Sequence, residues 1–211
     1  MPLNMQTIKN PWVAGLLTLI VAVIAVFLRS TQLGEQILID DEWHAVHGLI
    51  HLDYQRILLS FGEADRSIPL TLFFKLMADT IGLSEWRMRM LPWIGGLATV
   101  LVVPCLLRPW LKSYEPWIAG LLIAISPLLI HFSRYARPYG LTVPLAFAAV
   151  IALWRWWHDR DRRWLVLFVP ATVLAAWLHP LTLMFTGGAL LWFGLASLKD
   201  LLRDRNMAGL M

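Results

Sequence analysis

Charge is what this chain has least of. Asp, Glu, Lys and Arg make up 15% of its 211 residues, against roughly 25% in soluble domains. Hydrophobic residues make up 58%. That balance excludes a large water-soluble core and reads as a polytopic membrane protein. The single cysteine, Cys105, excludes an internal disulfide and leaves the redox compartment open. There is no Gly-x-Gly-x-x-Gly fingerprint and no Walker loop, so a nucleotide has no recognisable cradle. The net charge of +4 is modest, and nothing in its distribution reads as a nucleic-acid surface. Internal repeats and low-complexity tracts are lacking. No small-x-small cleavage site follows the first apolar run, so that run reads as an uncleaved anchor.

What is present is a series of apolar runs at 11–28, 91–107, 117–131, 140–154, 164–179 and 181–198. The expected fold is all-α, with about six transmembrane helices in a single module over 1–211. Pro104, Pro127, Pro144 and Pro170 lie inside the runs, so kinked helices packed on one another are expected. Trp110, Trp117, Trp154, Trp156, Trp157 and Trp164 fall near the predicted ends, where indoles anchor to headgroups.

Basic residues set the expected orientation. Lys9, Arg108, Lys112, Arg155, Arg160, Arg162, Arg163, Lys199, Arg203 and Arg205 all fall on one side of a six-helix map, which the positive-inside rule makes cytoplasmic. Both termini are then cytoplasmic, in a plasma (inner) membrane. The segment 30–90, the loop 134–139 and the turn at His179-Pro180 lie outside. Within 30–90, Ala45, Val46, Leu49, Ile50, Ile57 and Leu58 recur at helical spacing, and 68–81 is a second apolar stretch interrupted by Lys75 and Asp79. Both read as amphipathic helices in the outer interface; re-entrant placement is the alternative.

Three features on that outer side carry chemistry. The first is Asp40-Asp41-Glu42. Adjacent acids repel, which raises the proton affinity of at least one, and a carboxylate there suits a general base toward a hydroxyl. The same residues also suit a helix N-cap and first turn, and both readings stand. His44, His47 and His51 share roughly one face behind them; headgroup-facing histidines and a divalent-metal site are the two readings. The second feature is Ser133-Arg134-Tyr135-Ala136-Arg137-Pro138-Tyr139. Pro138 suits the first position of a helix, whose amino end offers unpaired amides and a positive dipole to an anion. Arg137 adds a fork that matches phosphate oxygens. Arg134 adds charge, and Tyr135 and Tyr139 add hydroxyls. The alternative is arginines reaching to lipid headgroups. The third feature is His179, as a further donor to the same anion or as a helix cap.

The order of these elements resembles the amino-terminal part of a C-type, integral-membrane glycosyltransferase. It is most similar to bacterial relatives of protein O-mannosyltransferases and of the aminoarabinose and lipopolysaccharide-core transferases. The resemblance runs through Asp41-Glu42, Pro69-Leu70, Gly82-Leu83-Ser84-Glu85-Trp86-Arg87-Met88-Arg89, Gly96-Leu97-Ala98-Thr99-Val100, Ser126-Pro127, Ser133–Tyr139 and His179-Pro180. It implies inverting transfer of a sugar from a polyprenyl-phosphate donor to an extracytoplasmic glycan, lipid or protein. Asp41 would be the base, and Glu42 would position the acceptor or tune Asp41. Arg134, Arg137, Tyr139 and His179 would hold the donor phosphate, without a resident cofactor or metal. It also implies further helices beyond these six, on the same or another chain. The chain departs from the pattern at Ser67-Ile68-Pro69-Leu70, where family members often carry His-Pro-Pro-Leu. Rival classes are a non-catalytic membrane scaffold or inactive fragment, and a transporter segment. The nearly charge-free centres of the runs speak against the transporter.

Overall fold

The computed structural model describes the backbone of residues 10–35, 37–38, 40–62 and 66–208, and within these not the side chains at 40, 41, 45, 47, 48, 50 and 200–208. Ten helices and no β-strand occur among the described residues. They are α1 (Pro11–Ser30), α2 (Asp40–His51), α3 (Tyr54–Leu59), α4 (Ile68–Thr80), α5 (Glu85–Leu107), α6 (Glu115–Ile125), α7 (Pro127–Ser133), α8 (Tyr139–Asp159), α9 (Arg163–Leu178) and α10 (Thr182–Ala208).

Local chemistry sets the starts. Asn10 Oδ1 accepts the Trp12 N–H at 3.0 Å, and Pro11 takes a first-turn position that has no intrahelical donor to lose. Ser84 Oγ caps α5 by accepting the Arg87 N–H at 3.4 Å.

Four described helices are long and apolar enough to cross a membrane: α1, α5, α8 and the 182–199 part of α10. The expected third span, 117–131, is instead two helices bent by 63°, which make a fifth crossing if counted as one. The expected fifth, α9, is a shorter apolar helix of 16 residues. Four or five candidate spans thus stand where six were expected, an arrangement compatible with a membrane protein.

The 63° bend has a definite cause. Pro127 has no N–H to return to the Ile123 carbonyl, so α6 cannot continue through it. Arg29, at the end of α1 and fully buried, takes up the released acceptors. Its Nη1 donates to Ala124 O at 2.8 Å and its Nη2 to Ile123 O at 3.1 Å.

At the centre, α5 packs against α1, α4, α6, α7 and α8. Its approach to α7 and α8 depends on missing side chains. A Cβ on Gly95 would lie 2.5 Å from the Gly140 carbonyl oxygen, and one on Gly140 would collide with the Pro92 carbonyl. A Cβ on Gly96 would run into Ser133. The three glycines bring the 133–140 segment against the first half of α5. The helices expected in 30–90 are present as α2, α3 and α4, and α4 contributes to a buried core. Leu70 and Phe74 are buried in a cluster with Leu49, Ile57, Met88 and Ala136.

Gly140→Ala should therefore destabilise the protein by about 3 kcal/mol through backbone overpacking. Gly188→Ala, with nothing within 4 Å of its Cβ, should be neutral or mildly stabilising, since alanine is the better helix former. Thermal unfolding in detergent, followed by tryptophan fluorescence, checks both.

Candidate functional site

The carboxyl end of α1, the amino ends of α2, α5 and α8, and the carboxyl ends of α7 and α9 meet at one end of the bundle. All three sequence features lie there.

Glu42 and Arg89 form the centre. Each side chain is 1% exposed. Arg89 Nε donates to Glu42 Oε1 at 3.2 Å and Nη2 to Oε2 at 3.0 Å, a two-point pairing. The Ala136 N–H donates to Glu42 Oε1 at 2.6 Å. Arg89 also donates from Nη1 to Leu33 O at 3.0 Å and from Nη2 to Ile37 O at 3.4 Å. One buried ion pair therefore joins the segment after α1, the head of α2, the head of α5 and the arginine loop. Burial places Glu42 to orient its neighbours rather than to meet a ligand. Asp40 and Asp41 begin α2, two and one positions from this anchor; their carboxylates lie outside the described side chains.

The arginine loop closes between α7 and α8. Pro138 precedes the first helical residue, Tyr139, one position later than the sequence expectation. Arg134 is half-buried, yet its Nε and Nη2 are fully buried and have no hydrogen-bond partner among the described residues. Burial first, and the positive charge of Arg89 second, hold its guanidinium below the ordinary arginine range. An orphaned guanidinium edge in such a place is costly until an acceptor meets it.

His179 stands across from the loop at the end of α9, its N–H donating to Ala175 O at 2.9 Å. The Leu181 N–H donates to His179 Nδ1 at 3.3 Å, so in the neutral ring the proton sits on Nε2. Burial first, then the charges of Arg137 and Arg66, hold its pKa below the usual histidine value. Arg66 is a cation that the sequence reading did not assign. Its signal was its position just before the Ser67-Ile68-Pro69 start of α4. Ser67, at that start, is buried and its hydroxyl has no hydrogen-bond partner among the described residues.

Beside the cations runs a row of rings. His131 stacks on Tyr135 at 5.4 Å between centroids, Tyr135 on Tyr139 at 6.5 Å and 9° between planes, and Tyr139 meets His179 at 5.5 Å. Tyr139 and His179 thus lie together, as the sequence placed them. Among the described residues no group of three His, Cys, Asp or Glu side chains converges; the side chains of Asp40, Asp41 and His47 on the histidine face of α2 lie outside them.

No protein-family model, curated protein or solved structure matches this chain.

Glu42→Gln or Arg89→Met should each cost about 3–5 kcal/mol, because each strands a buried partner. The apolar double replacement Glu42→Leu/Arg89→Leu should cost less than the sum of the two single leucine replacements, which a double-mutant cycle on unfolding midpoints measures.

The lowered pKa of His179 fixes a sign. The folded protein binds less proton at this ring than the unfolded chain does. The ring's contribution to stability is therefore full above the unfolded value of about 6.5 and falls away as pH drops through the folded value. His179→Gln should flatten that part of the stability–pH profile measured between about pH 7.5 and 5. A phosphate bound against the ring would favour its protonated form, so anion binding there should be accompanied by proton uptake in calorimetry.

Proposed function

We propose that this chain is a membrane glycosyltransferase module that transfers a sugar from a polyprenyl-phosphate donor to an acceptor hydroxyl on the extracytoplasmic face. The observations that carry the reading are the closeness of the Arg137 and Arg66 charges to His179 and, in the same loop as Arg137, two buried guanidinium nitrogens of Arg134 with no acceptor among the described residues. The head of α2 is tied to the same loop through Glu42. An anion would satisfy the Arg134 edge beside a carboxylate-bearing helix start, and a lipid phosphate with a sugar attached is a ligand that uses both. The row of Tyr135, Tyr139 and His179 rings offers flat faces to the C–H edges of a sugar.

In the proposed reaction the acceptor oxygen attacks the anomeric carbon from the side opposite the phosphate. Asp41 takes the hydroxyl proton as the new C–O bond forms. The bond from the anomeric carbon to phosphate oxygen breaks, its electron pair leaves with the polyprenyl phosphate, and the anomeric configuration inverts. Arg134 and Arg137 meet the charge that grows on the leaving phosphate, with the Nε2–H of His179 and the hydroxyl of Tyr139 as further donors. Glu42 acts as a positioning residue: it fixes the start of α2, and hence Asp41, against the arginine loop. The basic residues at the far ends of α5, α8 and α9 support, under the positive-inside rule, an extracytoplasmic site.

Asp41→Asn should lower transfer by about 10²-fold or more with little change in unfolding midpoint. Arg137→Lys keeps the charge but loses the fork, so it should raise the KM for donor. The assay is transfer from synthetic polyprenyl-phosphate sugars by the full chain in proteoliposomes, alone and with membrane extract that supplies any missing partner. Undiminished transfer by Asp41→Asn removes the base assignment. No transfer under any of these conditions favours a non-catalytic membrane scaffold.

A further inference from the structure

A second site lies at the other end of the bundle. Between α1, α5 and α6 there is a cavity of about 220 Å³, bordered by Thr18, Val21, Val100, Cys105, Arg108 and Trp117 among others. Its shape follows from two residues. Pro104 has no N–H for the Val100 carbonyl, which loosens α5 there. Gly120 lets the three helices meet at one place: a Cβ on it would lie 3.3 Å from Val21 Cγ1 and 3.5 Å from Pro104 Cγ. Trp117 forms a fixed wall, because its indole N–H donates to Thr18 Oγ1 at 3.0 Å.

The chemistry of the lining is divided. The part near Gly120 is aliphatic, and the part toward the α5–α6 connection carries the exposed Arg108. No ion pair involves Arg108 among the described residues. Glu115, the acid of that connection, accepts the Lys112 N–H at 2.7 Å, and Lys112 adds a second exposed cation. An apolar crevice that ends at unpaired positive charge, at the end of helices compatible with a membrane, fits an amphiphile with one alkyl chain in the crevice and an anionic head at the arginine.

We propose that this crevice is a binding site for an anionic phospholipid, with one acyl chain between α1 and α5–α6 and the phosphate paired with Arg108. The site is separate from the sugar-transfer centre and does not depend on that assignment.

Cys105, the chain's single cysteine, lines the crevice and is exposed, which makes it a built-in reporter. The experiment measures its alkylation by neutral N-ethylmaleimide, with the full chain in micelles containing either phosphatidylglycerol or phosphatidylcholine. A basic residue near an anionic headgroup contributes about 1 kcal/mol, so phosphatidylglycerol should slow alkylation about fivefold more than phosphatidylcholine. Arg108→Gln, at an exposed position, should fold normally and abolish that difference. Equal alkylation in the two lipids, or a difference that survives Arg108→Gln, overturns the proposal. Leu101→Trp, which fills the crevice from α5, should slow alkylation in either lipid; if it does not, the thiol is reached by another route and the crevice is not the binding site.

Discussion

The buried pair of Glu42 and Arg89 organises the rest of the structure. Two opposite charges, each almost wholly removed from solvent, are stable together only when further hydrogen bonds satisfy them. Those bonds go to backbone, to Leu33 and Ile37 on one side and from Ala136 on the other. Backbone partners fix segments rather than side chains. The pair therefore sets the position of the link after α1, the pitch of α2 and the path of the arginine loop. Everything at that end of the bundle, the orphaned edge of Arg134 included, is placed relative to it.

The scarcity of charge gives each buried guanidinium a distinct task. Arg29 closes the carbonyl gap that Pro127 opens between α6 and α7. Arg89 serves a carboxylate and two carbonyls at once. Arg134 shares the same end of the bundle but retains buried nitrogens with no acceptor among the described residues. Arg29 and Arg89 spend their terminal nitrogens on partners that the fold supplies, although Arg29 Nε is also buried with no acceptor among the described residues. The third is the one whose chemistry points outward from the fold, and it sits where three glycines let helix backbones come into near contact.

Much of this was legible in the sequence. Long apolar runs mark α1, α5, α8 and α10 because a bilayer-length hydrophobic stretch has few alternatives. Pro127 marks a break, and Pro138 a helix start within one residue. The grouping of the acids, the arginine loop and His179 follows from the alternation of spans. The size of the bend within 115–133 was not legible, since hydropathy does not distinguish a sharply bent apolar stretch from a straight one, whereas the 16 residues of α9 match the run at 164–179 to within one position. Nor was the pairing of Glu42 with Arg89. Asp40, Asp41 and Glu42 look alike as a cluster, and only the fold shows which acid turns inward. Arg66 stayed hidden because its neighbours in space, Arg137 and His179, are far away in sequence.

The spacing of the central node also bears on how the protein is made. Glu42 and Arg89 are 47 residues apart, and Glu42 and Ala136 are 94 apart. At roughly 5–20 residues per second, the ribosome needs about 5–20 s to bring the third member after the first. During that interval the Glu42 carboxylate has emerged without the Ala136 N–H, whereas Arg89, once made, already has Glu42, Leu33 and Ile37 behind it. The heads of α2 and α5 can pair once Arg89 is made, but the bond from Ala136 that ties the arginine loop to them can form only after that loop has been delivered. Assembly at this end of the protein is gated by synthesis: the anchor is written early in the chain, but it can be locked only when the loop after α7 arrives.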